Sequence, residues 1–330
     1  MFDPTVLLVI VVVLALAFDF SNGWHDSANA IATVVSTHVL SPGWAVLMAA
    51  VLNIAGAFMS TAVAKMIGGG IVDASAIAQT TVIAALIGAI AWNLFTLILG
   101  LPTSSSHALI GGIIGAALAQ GGMSAVKLSG LQKVLEAMLF SPLVGFVLGY
   151  LVILATYWAA SRVPRGPANR AFRRLQLISS SFMAFSHGAN DAQKAMGVIT
   201  LALVSAGVLN GMEVPVWVIL SCAVAMGLGT AAGGWRIVKT LGMRIIKMEP
   251  VHGFAAETSA ALILLGTAHF GMPVSTTHTI TSSIMGVGAV KRLSAVRWGV
   301  TMRIVYAWLF TLPGAGLMAY GMTLFFHALR

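Results

Sequence analysis

Two kinds of polar cluster interrupt an otherwise apolar chain, and each occurs twice. The first reads Ser21-Asn22-Gly23-Trp24-His25-Asp26-Ser27-Ala28-Asn29-Ala30, and its second copy is Ser186-His187-Gly188-Ala189-Asn190-Asp191-Ala192-Gln193-Lys194-Ala195. A carboxylate set deep in an apolar helix is costly unless it is paired, hydrated or protonated, so Asp26 and Asp191 are functional candidates. Gly23 and Gly188 would let the helix unwind locally and free backbone carbonyls. Carboxylate, the Asn190 side-chain oxygen and free carbonyls suit a hard monovalent cation. The same carboxylates could instead take up a proton. The alternative is that each Asp only fixes helix packing through hydrogen bonds.

The second cluster is Pro102-Thr103-Ser104-Ser105-Ser106-His107, repeated as Pro273-Val274-Ser275-Thr276-Thr277-His278. In each, proline ends one helix, a run of hydroxyl residues follows, and an apolar helical stretch begins. A helix N-terminus leaves backbone N–H groups without partners and carries partial positive charge. Pointed into protein, such an end binds an anion without Lys or Arg. The candidate anion ligands are Ser104, Ser105, Ser106, Ser275, Thr276 and Thr277, with helix capping alone as the plainer reading. Pseudo-symmetry predicts that the two tips face each other. His107 and His278 follow these runs, and because a free imidazole titrates near physiological pH they are candidate proton relays, as is Glu257 within the apolar run 254–266. His25 beside Asp26 is a lesser candidate of the same kind. Lys194 could neutralise Asp191 or touch the anion. Asp19 has no acidic match in the second half and is assigned to packing or to a broken helix.

Elements that hold these clusters follow from composition. The 330 residues include only 18 Lys and Arg and 9 Asp and Glu, 8% charged against 58% hydrophobic, where a soluble chain has about a quarter charged. With a mean hydropathy of +0.96, the chain is an all-α polytopic membrane protein, and disorder is excluded. Apolar stretches long enough to cross, together with shorter ones near 106–120, 254–270 and 279–290, predict about ten membrane segments including broken or re-entrant helices. The leader carries Asp3 and neither Lys nor Arg, so no cleaved signal peptide is expected. A lone cysteine, Cys222, excludes an internal disulfide and a cysteine-based metal site. No metal site and no cofactor are expected.

The repeat divides the chain. Asp26 and Asp191 are 165 residues apart and His107 and His278 are 171 apart, so two unrelated motifs recur in one order at nearly one spacing. This gives a first membrane repeat at 1–160, a basic linker at 161–174 and a second membrane repeat at 175–330. Five crossings per half would make the repeats inverted in topology. The net charge of +9 reflects Lys and Arg on one side of a membrane rather than nucleic-acid binding. With both termini outside, the 162–174 loop and the basic stretches 236–247 and 291–303 all fall on the cytoplasmic side.

These residues resemble the inorganic phosphate transporter (PiT) family. Its duplicated G-x-N-D-x-x-x-A pattern is similar to Gly188 to Ala195 in full and to Gly23 to Ala30 with one departure, His25 for Asn. Its P-x-S-[ST]-[ST]-H pattern is similar to Pro102 to His107 and Pro273 to His278. The resemblance covers nearly the whole chain. It implies symport of inorganic phosphate by alternating access between two inverted repeats, in the cell (inner) membrane. It also implies an anion among the six hydroxyl residues above and a coupling cation at Asp26, Asn190 and Asp191. His25 is a poor sodium ligand, so protons are expected ahead of sodium. Expected partners are phosphate, the cation and the lipid bilayer, with a homodimer open as the assembly. Within the family the alternative is a sulfate permease, and outside it an anion channel. An enzyme is not expected, because Ser106 and His107 are adjacent on a helix and do not face each other. No Walker motif points to ATP.

Overall fold

The computed structural model describes residues 3–72 and 77–329 and is helical throughout, apart from one isolated bridge between Val72 and Val126. The first half carries α1 (Pro4–Ser36), α2 (Pro42–Ala57), α3 (Ala62–Gly70), α4 (Gln79–Leu99), α5 (Ser105–Gly121) and α6 (Leu128–Ala159). The second carries α7 (Arg165–Ser205), α8 (Val216–Ala232), the short α9 (Trp235–Lys239), which continues as a π-turn to Arg244, α10 (Pro250–His269), α11 (Thr276–Ala289) and α12 (Trp298–Ala328).

Among the described residues six helices, α1, α4, α5, α6, α10 and α12, are long and apolar enough to cross a bilayer. Two bent pairs raise the number to eight, α2 with α3 at 71° and α8 with the α9 segment at 60°. The expected ten is therefore slightly high. The shortfall lies in α7, which opens on a basic stretch and has a polar centre, and in α11, which has only 14 residues. The breaks do not fall near 106–120, 254–270 and 279–290, where α5, α10 and α11 are continuous, but in the two bent pairs.

Packing interleaves the halves. The helix α5 lies on α4 and on α12 of the other half, while α11 lies on α10 and on α6 of the other half. Likewise α1 packs on α8 and α2 packs on α7. Glycines make these crossings close. A Cβ on Gly23 would overlap the Met226 carbonyl oxygen of α8, and one on Gly188 would overlap the Asn53 carbonyl oxygen of α2. Membrane helices gain little from hydrophobicity against one another, so contact at this range through small residues is what holds them.

Two local expectations are corrected. The 161–174 stretch is not a loop, because α7 begins at Arg165 and only a short turn separates it from α6. Two prolines suggested a break, yet Pro164 is the N-cap and Pro167 lies in the first turn, where no intrahelical N–H is needed. Nor do α1 and α7 unwind at Gly23 and Gly188, for both run unbroken through their polar clusters. The glycines serve the crossings, and no backbone carbonyls are freed there. The hydroxyl-bearing connections are preceded by Gly100 and Gly271 at φ of 66° and 65°. That left-handed conformation terminates α4 and the turn after α10 before either proline is reached.

Candidate functional site

The polar clusters of α1 and α7 meet the start of α11 in the interior. Asn29 on α1 donates its amide to Thr277 Oγ1 at 2.9 Å and to Thr276 Oγ1 at 3.2 Å. Each hydroxyl passes its own proton on, Thr277 to Asp26 Oδ1 at 3.3 Å and Thr276 to Asp191 Oδ2 at 3.2 Å. One amide and two hydroxyls thus tie both aspartates to one helix tip. All five side chains are at most 1% exposed.

Each aspartate also has a basic neighbour. His25 Nδ1 stands 2.7 Å from Asp26 Oδ1, and its Nε2 lies 3.1 Å from Thr96 Oγ1 and 3.3 Å from Thr103 Oγ1. Lys194 Nζ is 2.8 Å from Asp191 Oδ2, and His187 Nε2 is 3.4 Å from the same oxygen. His187 Nδ1 is 3.1 Å from Asn53 Oδ1, and the Asn53 amide donates to Thr230. Ligand-type atoms of Asp26, His187 and Asp191 come within 4.8 Å of one another, a grouping that could hold a metal ion. Sequence spacing did not single it out, since His187 and Asp26 are joined only by the α1–α7 contact.

Several oxygens in this centre have no hydrogen-bond partner among the described residues: Asp26 Oδ2, Asp191 Oδ1, Asn29 Oδ1 and Asn190 Oδ1, together with Asn190 Nδ2. Buried polar atoms are nearly always satisfied, so such a concentration makes this centre a candidate ligand site. Four of the five atoms are acceptors, which fits a cation or a proton.

The α5 tip approaches from the other side. Ser106 donates to the Val274 carbonyl just before α11, and the His107 and His278 rings stand edge to face with centroids 4.8 Å apart. His278 also stacks on Trp308 of α12, whose indole N–H donates to the Pro102 carbonyl. Ser104 and Ser275 are N-caps, accepting from the backbone N–H of His107 and His278. Capping therefore accounts for these two hydroxyls. Ser105 Oγ, by contrast, is buried with no hydrogen bond among the described residues. Both tips begin in the interior, with Ser105 and Thr276 at most 1% exposed.

Glu257 lies apart from this centre. It accepts from Thr33 at 2.5 Å, from Gln176 at 3.2 Å and from Ser179, and it is fully buried. Thr33 is two turns of α1 beyond Asp26, so Glu257 belongs to the same polar line. Sequence reading missed Asn29, Thr33 and Gln176, whose roles appear only once α1, α7, α10 and α11 are packed.

The sequence profile described as the phosphate transporter family matches residues 22–319. The chain is 49% identical over 315 residues to a probable low-affinity inorganic phosphate transporter of Rhizobium meliloti, covering 95% of this chain and 94% of that one. It is 47% identical over 313 residues to a protein of the same description from Bacillus subtilis, covering 93% of each. A putative phosphate permease of Pyrococcus furiosus is 31% identical, with 96% of this chain and 95% of that one covered. Among solved structures, one titled the sodium-dependent phosphate transporter superposes with a TM-score of 0.87 over 98% of this chain and 100% of its own. At 23% identity that likeness carries the fold alone.

Proposed function

The chain belongs to the phosphate transporter family, and from that premise we propose that it imports inorganic phosphate by proton symport across the cell membrane. The observation that carries this reading is the pair of hydroxyls that donate to the two aspartates. While both carboxylates are charged, Thr276 and Thr277 are spent on them, and an approaching anion meets like charge. Protonation of Asp26 and Asp191 removes that charge and releases the hydroxyl donors and the α11 N–H groups to the anion. Proton and phosphate binding then favour one another.

The anion sits between the α5 and α11 tips, with Ser105, Ser106, Thr276 and Thr277 as its hydroxyl ligands and Ser104 and Ser275 as the caps that hold the tips. His107 and His278 line the gap between them. Asp26 and Asp191 are the coupling-ion groups, with His25 feeding Asp26 and Asn190 beside Asp191. Protons are preferred over sodium for two reasons. The ammonium of Lys194 already stands where a monovalent cation would meet Asp191. The neighbour of Asp26 is an imidazole, which carries protons and binds sodium poorly. Glu257 is the proton group on one side of the centre.

The two halves, 1–160 and 175–330, act as inverted repeats that rock to open the centre to each side in turn. The basic first turns of α7, with residues 162–174, face the cytoplasm. Uptake of labelled phosphate and of sulfate into proteoliposomes, with proton and sodium gradients imposed separately, tests the reading. Accumulation of phosphate on a pH gradient alone is the expected result. Accumulation only with sodium overturns the coupling ion, and preference for sulfate overturns the substrate.

A further inference from the structure

The polar face of α1 continues past the aspartate pair on the side away from Glu257. Asp19, Asn22, Asp26, Asn29 and Thr33 recur at intervals of three and four residues, which places all five on one face of the helix. All are at most 1% exposed. Asp19 lies two turns before Asp26, and Thr33, which donates to Glu257, lies two turns after it. At about 1.5 Å per residue each step is about 10 Å. The paired aspartates thus have one buried carboxyl at equal distance to either side along α1.

Asp19 differs from Glu257 in its surroundings. Neither of its oxygens has a hydrogen-bond partner among the described residues, nor does Asn22 Oδ1 one turn on. Ala15 and Phe18 adjoin it along α1 and are fully buried, and Cys222 on α8 lies near it. Titratable groups that face it are Cys222 on α8 and, from the central site, Lys194 and Asp191 on α7. The helices α2 and α4, also packed on α1, carry no titratable residue. A packing role would show hydrogen bonds from the carboxyl to a neighbouring helix, and among the described residues Asp19 makes none. A metal or sodium ion would need more oxygens than Asp19 and Asn22 offer. A proton needs only the one carboxyl.

We infer that Asp19 is a proton-carrying group of the transport cycle, the station through which the aspartate pair exchanges protons with the side opposite Glu257. The repeat does not supply it. The positions that match Asp19 and Thr33 in α7 are Ala184 and Val198, so the line of oxygens belongs to α1 alone. The inference rests on the proton-symport reading.

The test compares the wild type with Asp19→Asn and Asp19→Glu in proteoliposomes, after checking insertion and monodispersity. Three quantities are read: phosphate accumulation on an imposed pH gradient, proton entry by an internal pH dye, and phosphate–phosphate exchange at equal pH. Asp19→Asn is expected to lose accumulation and proton entry while exchange persists, and Asp19→Glu to restore both. Accumulation and proton entry at the wild-type level in Asp19→Asn overturn the inference and leave proton symport standing. Loss of exchange together with accumulation, unrescued by Glu, overturns it in favour of a packing role. Wild-type vesicles driven by sodium alone overturn the underlying reading and this inference together.

Discussion

Asp26 has an imidazole against it, His25 at 2.7 Å, whereas Asp191 has an ammonium, Lys194 at 2.8 Å. The two stand at matching places in a repeated motif and at matching helix crossings, α1 on α8 and α7 on α2. The chemistry beside the crossings differs again. Asn22 reaches the Met226 sulfur at 3.9 Å, while the matching His187 reaches the Asn53 side-chain oxygen at 3.1 Å. The tips differ too, for Thr276 and Thr277 are bonded to both aspartates while Ser105 is bonded to nothing described. The scaffold is alike at the two crossings, and the charged groups beside them differ. One carboxylate is left with an imidazole alone as its basic partner, the other with an ammonium at 2.8 Å and an imidazole at 3.4 Å.

The largest effect should come from breaking the first side of this comparison. Asp26→Asn removes the carboxylate whose basic partner within its own motif is an imidazole alone. Phosphate uptake and exchange should both fall by roughly a hundredfold or more, the equivalent of the 3–5 kcal/mol typical of uncoupling a buried charge pair. Measurement of both in reconstituted vesicles checks it, and uptake near the wild-type level would remove Asp26 from the centre.

Next, Lys194→Met should convert the second side. With the ammonium gone, Asp191 and Asn190 form an open oxygen set for a monovalent cation. Uptake should fall at zero sodium and recover in part when sodium is added. A variant equally slow with and without sodium would mean that Lys194 acts otherwise than as a resident cation.

The tips should separate by about an order of magnitude. Thr276→Val loses a hydrogen bond to a charged acceptor, worth about 1.5–3 kcal/mol, or roughly a tenfold to hundredfold loss of phosphate uptake. Ser105→Ala removes a hydroxyl with no partner in this state and should cost about threefold, the scale of one neutral hydrogen bond to the anion. Equal losses would indicate that the tips contribute alike and would blunt the comparison.

By contrast, the scaffold should respond symmetrically. Gly23→Ala and Gly188→Ala each force a methyl onto a facing carbonyl, and overpacking of this kind costs about 1–3 kcal/mol. Thermal unfolding in detergent should shift down by similar amounts in both. The smallest effect is expected from a cysteine at Arg170 in a Cys222-free background. Transport should be unchanged, and labelling should succeed only from the cytoplasmic side.

The membrane character and the family were readable from the chain, and for definite reasons. Scarcity of charge leaves a helical membrane protein as the form able to satisfy its backbone. Motifs such as Asp26 with Gly23, or the hydroxyl run before His107, are local and keep their spacing. Helix continuity was misjudged where a local signal has two meanings. Glycine beside polar residues permits unwinding, but it equally permits close crossing, and the facing backbone of α2 or α8 decides between them.

The sequence by itself therefore determined which groups are available: an aspartate in each copy of a repeated motif, two hydroxyl-bearing helix starts, and basic neighbours that differ between the two aspartates. What only the tertiary structure decided is which of these groups meet. Thr277 lies 251 residues from Asp26, and Glu257 lies 224 residues from Thr33. No periodicity records such pairings, because they arise from how α1, α7, α10 and α11 pack. That packing is set by shape and by glycine placement across the halves rather than by hydropathy along any one helix.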